Sequence, residues 1–579
     1  MKIVVVPGRV YYQRAGEIIE TMGVEETSPS AVDANTDGLH EEPRATQGSR
    51  RDSGKGAEFS SEPEKLERPT GFKLYLILAS MTFTQFVIML DISVIVTAIP
   101  QITDHFHSLL DVGWYGSAYQ LASASLQPLS GKIYTYFNLK WAFLSFFFVF
   151  ELGSLLCAVA TSSTMLIVAR AISGLGASGL LNGGLAIFAA CLPKERQPAM
   201  FGVLMAIGQL GQACGPLIGG ALTQYATWRL CFYINLPIGA VVAGILLFIR
   251  IPRGSMKSDE QTLRKMLTQT LDLVGFAIFA PASIQFFLAL QYGGGQHAWD
   301  SATVIGLFCG SAAMFAIFLI WEYYKGDDAM IPLPILRRRT VWSACLTLFF
   351  IVGILICAGY YLPIWFQAVK GTTPTMSGVY ILPNVLAQIA MSMVTGLSVP
   401  ILGYFLPFIL VGTSLAAIGY GLLSMLTPTY PTGPRVGYQI IGGVGCGAAA
   451  PVVYVALQAL TPAADSPIAM AILLFSQNFG AAVFLTIAQT VFSNSLKTKI
   501  PQYAPGANVD AVLAAGATEF AKVVTPDQVA GVVKAFSVSV DHVFYLVCGA
   551  AGGAFICSWA MGWRDIRQKS DREPELESD

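Results

Sequence analysis

The sequence predicts an all-α polytopic membrane protein with fourteen transmembrane helices, and three observations carry that prediction. Hydrophobic residues make up 54% of the 579-residue chain and charged residues 12%, about half the charged share of an ordinary soluble domain. The mean hydropathy is +0.58. Apolar runs of about 20 residues, enough to cross a bilayer core, recur along the chain, and most charges fall between them.

In chain order the runs begin near Leu74, Asp111, Trp141, Met165, Ala199, Leu230, Leu271 and Ala302, then Val341, Met376, Ile401, Tyr438, Ile468 and Val543. The boundary between the tenth and eleventh is the weakest, because only residues 394–400 divide them and none is charged. Residues 1–72 are rich in Ser, Glu, Gly and Pro and carry excess acid, which predicts a disordered cytosolic tail. Ile3 to Val6 is too short an apolar stretch for a cleavable signal peptide. The expected organisation is six helices over 73–250, a linker with two more over 251–325, six over 326–565, and a second cytosolic tail over 566–579.

Basic residues set the orientation. Lys132, Lys140, Lys194, Arg196, Arg250, Arg253, Lys257, Arg264, Lys265, Lys325, Arg337, Arg338 and Arg339 fall on one side, against Arg229, Lys370 and Arg435 on the other. The positive-inside rule then puts both termini in the cytosol. The largest outer loop is expected over 493–541, with a short surface helix starting at Thr525-Pro526-Asp527-Gln528, a Thr cap followed by Pro at the first helical position.

Several function classes are excluded. A net charge of −1 without a Lys/Arg cluster argues against a nucleic-acid partner. The ten cysteines lie in or at the ends of apolar runs without metal-ligand spacing, so they read as small buried residues. Ser173 to Gly179 and Gly442 to Gly447 are glycine-rich but lie inside spans with no preceding strand, so neither reads as a nucleotide loop. No Walker, HExxH or GxSxG motif occurs. Neither a cofactor, a metal nor an enzymatic activity is expected.

Three charged side chains sit away from the span ends: Asp91, Glu151 and Arg170. A charge at membrane depth costs roughly 2.5–3.5 kcal/mol on insertion scales, which marks such groups as functional candidates. At 1.5 Å per residue, Asp91 lies about 12 Å below the outer end of the first span and Arg170 about 7–8 Å below that of the fourth. The two can therefore meet if their helices are neighbours. A structural ion pair, a proton relay and a contact to a charged solute are all compatible with that depth. Glu151 sits near the middle of the third span among phenylalanines, as a buried acid or as a further proton-handling group.

Gly211, Gly215 and Gly219 recur every fourth residue, with Pro216 and Gly220 beside them. This makes a smooth stripe that admits a second helix at close range, while Pro216 bends its own helix. The stripe fits either a moving contact between two bundles or a static small-residue interface.

These motifs together resemble the major facilitator superfamily, in particular its fourteen-span drug:proton antiporter branch and the fungal efflux pumps for toxins and secondary metabolites. Leu90 to Pro100 is similar to that branch's first-span motif, Arg170 to Gly179 to its fourth-span motif, and Gly211 to Gly220 to its antiporter motif. Trp228 to Pro237, Ala329 to Pro332, Tyr361 to Gln367 and Gln477 to Gly480 extend the similarity over about residues 72–565. Two features depart from the pattern. Thr135 stands where the loop motif has an acidic residue, and the connection between spans ten and eleven lacks a basic, glycine-containing loop.

The resemblance implies two six-helix bundles that rock about a central cavity, with spans seven and eight as an extra pair. It implies proton-driven export of a small apolar or amphipathic compound across the plasma membrane; a monomer is expected, with the oligomeric state left open by the sequence. Proton coupling would fall to Asp91, Arg170 and Glu151. Gln285, Tyr360, Tyr361, Gln388, Gln477 and Asn478 would line the cavity. Uptake or vacuolar loading of a siderophore or basic amino acid is the alternative, as is a transport-inactive, sensor-like relative.

Overall fold

The computed structural model describes residues 2–6, 9–14, 17–19, 69, 71–192, 197–249, 251, 272–293, 297–326, 329–429, 431–462 and 465–565. The basic residues Lys194, Arg196, Arg250, Arg253, Lys257, Arg264 and Lys265 and the 566–579 tail lie outside them.

The chain divides into a unit at Met1–Glu64 and a second at Lys65–Asp579. The first contains an antiparallel sheet of β1 (Lys2–Val6), β2 (Arg9–Arg14) and β3 (Glu17–Ile19), with Val5 opposite Val10. These strands lie within the stretch expected as a disordered tail, of which residues 20–68 fall outside the described ones. Ile3 to Val6 and Val10 to Tyr12 are β-branched and aromatic, and such residues pair as strands even in a polar segment.

The second unit is helical throughout its long elements. They are α1 (Phe72–Phe106), α2 (Val112–Tyr136), α3 (Leu139–Ala158), α4 (Ser163–Cys191), α5 (Gln197–Tyr225), α6 (Leu230–Phe248, interrupted at Ile234) and α7 (Leu273–Tyr292). They continue as α8 (Ala302–Lys325), α9 (Arg339–Ala368), α10 (Pro374–Leu402), α11 (Leu406–Leu423), α12 (Thr432–Leu460), α13 (Ser466–Tyr503) and α14 (Pro526–Trp559). Among the described residues, 12 helices are long and apolar enough to cross a membrane. The count of fourteen is not reached on that criterion, because α2 and α5, at 25 and 29 residues, are not among the twelve.

Helix starts follow local capping chemistry. Asn138, Ser162, Asp272, Ser301 and Thr373 each accept a hydrogen bond from a first-turn backbone N–H. Two expected boundaries move. Residues 394–400 are helical, and α10 ends instead at Gly403, whose φ of 80° lets its N–H turn back to the Val399 carbonyl before Pro407 opens α11. The expected loop at 493–541 shrinks to 504–525, with a surface helix at Val509–Glu519. Thr525 and Gln528 do form a capping box, but the helix they open runs unbroken to Trp559.

Helices α1–α6 pack as one bundle through the α1–α5, α2–α4 and α3–α4 pairs. Helices α9–α14 form another through α9–α13, α9–α14, α10–α12 and α11–α12. Helices α7 and α8 pair with each other, and α7 rests on α2 and α13. The bundles meet along α2–α13 and α5–α10. Below, the face where α1 ends is called distal and the face where it begins proximal.

Candidate functional site

Asp91 and Arg170, brought from α1 and α4, form an ion pair with Arg170 Nη1 2.6 Å from Asp91 Oδ2. Asp91 is fully buried and Arg170 is 1% exposed. Such a pair is tolerated away from water only when its remaining hydrogen-bonding positions are filled. Arg170 Nε donates to the Tyr115 carbonyl at 3.0 Å, and its guanidinium lies 4.4 Å from the centre of the Tyr119 ring. Asn235 Nδ2 donates to Asp91 Oδ1 at 2.9 Å and also contacts Ser154 Oγ at 3.2 Å. Thus four helices, α1, α3, α4 and α6, supply one buried polar cluster, and α2 supplies the carbonyl and the ring. Chemically, it can hold one negative and one positive charge without water. Proton exchange with solvent requires the cluster to open.

Glu151 lies on α3 one turn from Ser154, beside Gly239 of α6, and among the described residues neither carboxylate oxygen has a hydrogen-bond partner. A Cβ at Gly239 would sit 2.1 Å from Glu151 Oε1, so the glycine makes room for the acid. An ionised carboxylate at this spot would lack the donors that offset burial.

The glycine stripe faces α1 inside the first bundle. A Cβ at Gly211, Gly215 or Gly219 would come within 2.6 Å of the Phe86 carbonyl, 1.8 Å of Ser93 Oγ or 2.1 Å of the Val94 carbonyl, respectively. Those three positions therefore make a close α1–α5 interface within the bundle. The neighbouring Pro216 and Gly220 do reach the other bundle. The Pro216 carbonyl abuts Gly378, and Gly220 abuts Pro374 and Thr375, all on α10.

The expected cavity residues separate. Tyr360 abuts Gly116, and Asn478 Nδ2 donates to Ser123 Oγ at 3.2 Å and Gln127 Oε1 at 3.1 Å, so both lie where the bundles meet. Tyr361 donates to Gln489 Oε1 at 3.1 Å, while Gln489 Nε2 bonds the Leu109 and Leu110 carbonyls. Gln388 packs its backbone against Gly447, and Gln477 accepts from Tyr454. Gln285 stands apart from the others. It lies between α7 and α8, against Gly310 and Met314, in the extra pair.

Sequence reasoning also missed several groups. Asn235 is neutral, so its burial carries no charge signal, although it lies in the Trp228–Pro237 motif. Glu322, 1% exposed, accepts from the Met330 and Ile331 N–H groups and holds the Ala329–Pro332 motif against α8. Arg435, expected in an outer loop, is 4% exposed in the first turn of α12. Lys140 spans from α3 to the Leu247 and Ile249 carbonyls, capping the C-terminal end of α6. Thr135 lies in α2, but its side chain is outside the described residues.

The distal ends of the bundles are fastened together. Gln367 Nε2 donates to the Thr97 carbonyl at 3.1 Å, and Gln224 Oε1 accepts from Thr375 N at 3.4 Å. Asp104, near the end of α1, accepts from the Thr518 N–H and hydroxyl on the connection between α13 and α14. At the same face Ser163 bridges Asp111 and the Tyr115 hydroxyl. Burial pushes the Asp111 carboxyl up.

Comparison with known proteins agrees with this architecture. The sequence profile described as Major Facilitator Superfamily matches residues 81–485. The chain is 53% identical over 505 residues to the MFS-type transporter pigP of Monascus ruber, covering 87% of this chain and 89% of that one. It is 48% identical over 530 residues to the efflux pump mlcE of Penicillium citrinum, covering 89% and 95%. In fold it is similar to a bacterial homologue of the human lysosomal transporter Spinster in an inward-facing, unoccupied conformation. The TM-score is 0.60 at 16% identity, over 85% of this chain and 98% of that one. With its two helical bundles, its buried α1–α4 ion pair and these relatives, the chain belongs to the major facilitator superfamily.

Proposed function

We propose that the protein is a proton-coupled exporter of a small apolar or amphipathic organic compound, of the secondary-metabolite or toxin class, working by alternating access. The observation that carries this reading is the Asp91–Arg170–Asn235 cluster: a titratable carboxylate with a guanidinium partner, sealed from water in a family of transporters. Protonating Asp91 would weaken its hold on Arg170 and so couple proton binding to helix movement. Glu151, near the same cluster without a donor, is a second group able to carry a proton. The efflux pump named in Penicillium citrinum supports the outward direction.

In this reading α2 and α5 also cross the bilayer, giving fourteen spans, since each is long enough and packs within the bundle. The excess of basic residues at proximal connections supports cytosolic termini and an extracellular distal face. Placement in the plasma membrane follows from export out of the cell.

The test compares metabolites in cells and medium with and without the gene. A compound retained in cells only when the gene is absent supports export and names the cargo. A compound that accumulates in cells only when the gene is present supports uptake. Unchanged distributions in every growth condition, with the protein present, support the transport-inactive alternative.

A further inference from the structure

The two bundles carry the same glycine pattern around different polar residues. In α4 the order is Arg170, Gly174, Gly176, and in α12 it is Gln439, Gly443, Gly445 with identical spacing. The spatial match is close. A Cβ on Gly174 would lie 2.2 Å from the Tyr119 carbonyl of α2, and one on Gly443 would lie 2.2 Å from the Asn384 carbonyl of α10. A Cβ on Gly176 would meet the Phe150 N–H of α3 at 2.3 Å, and one on Gly445 the Ala416 N–H of α11 at 2.3 Å. Gln439 thus occupies in the second bundle the place that Arg170 fills in the first.

The surroundings differ in charge. Gln439 is fully buried, and among the described residues neither the oxygen nor the nitrogen of its amide has a partner. One turn toward the distal face, Arg435 packs against Phe366 and Tyr380, each 5.1 Å from its guanidinium carbon, and Trp365 at 6.0 Å. Among the described residues its Nε is buried without a partner, while its Nη2 donates to Thr432 Oγ1 at 3.4 Å. Among the described residues Arg435 has no carboxylate within ion-pairing distance, unlike Arg170 with Asp91. Arg435 also sits in the first turn of α12, where the helix dipole opposes a cation. Lys370 lies 5.8 Å from the same Trp365 ring, and burial with the nearby Arg435 pushes its ammonium group down. Two cations and a helix N-terminus therefore converge on one aromatic wall, next to an amide with unused donors.

We propose that Arg435 and Gln439 form an anion-recognition pocket for the carboxylate of an amphipathic organic acid, with Trp365, Phe366 and Tyr380 taking its apolar body. This rests on the transport reading above and narrows its cargo to acids. Gln367, next to Phe366, bonds across to α1, so the pocket lies just behind the distal seam. Parting the seam uncovers it. The charge-assisted bonds from Arg435 favour the acid over its neutral ester.

The test uses the full-length protein in liposomes of neutral phosphatidylcholine, with dansyl-labelled undecanoic acid and its methyl ester as probes, and measures binding by fluorescence. The acid is expected to bind about tenfold tighter than the ester, a difference of about 1.4 kcal/mol. Arg435→Gln is expected to bring the acid down to the ester's affinity and leave the ester unchanged, while Arg435→Lys keeps part of the preference. Adding phosphatidylserine separates the two sources of an anion. Unchanged acid binding supports a solute site, and competitive loss of it shows that a lipid headgroup is the occupant and overturns the proposal. Equal binding of acid and ester by the unaltered protein also overturns it. So does an Arg435→Gln variant that keeps the preference, or one that loses both probes together with its thermal stability, as a purely structural cap on the end of α9 would. Because binding needs no proton gradient, failure here leaves proton-driven export standing. Normal acid preference without export would reject only the latter.

Discussion

At the scale of single residues, the ion pair governs both stability and chemistry. Asp91→Asn strands the Arg170 guanidinium in a site buried from solvent, and removing one partner of a buried pair costs about 3–5 kcal/mol. Reduced abundance of that variant is therefore the expected outcome on a membrane immunoblot. The double variant Asp91→Asn with Arg170→Gln removes both charges and is expected to regain abundance while remaining unable to use a pH gradient. A double variant no more abundant than the single one would show that the pair is not the source of the loss. Gly239→Ala drives a methyl group into the Glu151 carboxyl. It is expected to lower the unfolding temperature, and pairing it with Glu151→Ala is expected to restore it. The charged pair was legible from sequence because a charge in an apolar run stands out. Asn235 and Gln439 were not, since a neutral amide leaves no such signal and only the packed helices show what it faces. Arg435 was read as a loop residue because its helix begins six residues earlier than the apolar run, at Thr432 rather than Tyr438.

At the scale of elements, hydropathy located the middles of helices and lost their ends. Helix α14 begins at Pro526, although its apolar run begins only near Val543, because one side of its first turns packs on α13 while Pro526, Asp527, Ala530 and Lys534 stay exposed. Lys534 lies over the Tyr503 ring at 4.5 Å, and Gly531 abuts the Tyr503 carbonyl, so these polar turns still have partners. The α1–α5 interface depends on bare glycine. Gly215→Ala places a methyl group 1.8 Å from Ser93 Oγ and is expected to destabilise the protein by about 1–3 kcal/mol, as overpacking does. Thermal unfolding in detergent checks this, and Ser93→Ala in the same chain is expected to recover part of the loss. On the distal connection, Gly516 has a φ of 88° and its Cα faces Asp104. Gly516→Ala adds backbone strain and a clash together. Faster proteolytic cleavage within 504–525 is the expected result.

At the scale of the whole molecule, the bundles are joined from the distal ends to about the middle, through Gln367–Thr97, Gln224–Thr375 and Asn478–Gln127. An alternating-access cycle has to break these bonds once per turnover. A disulfide between cysteines placed at 224 and 375, in a background with the native cysteines replaced, is expected to stop transport, and a reductant to restore it. The two-bundle architecture could be anticipated from the count and grouping of apolar runs and from the family motifs. Which helices face each other across the seam could not, because helical periodicity reports a buried face but not its neighbour. Gln285 shows the limit. It is polar in an apolar run, as Asn478 is, yet one serves the extra pair and the other the seam.

The most direct measurement of the central claim takes inside-out membrane vesicles, the compound identified by the metabolite comparison, and an imposed proton gradient. The unaltered protein is expected to accumulate the compound in the vesicles and to stop when a protonophore collapses the gradient. The Asp91→Asn/Arg170→Gln variant, at equal abundance, is expected to show no gradient-dependent accumulation. Accumulation that survives loss of the gradient, or equal gradient-driven accumulation by the variant, would contradict a proton-coupled role for the Asp91–Arg170 pair.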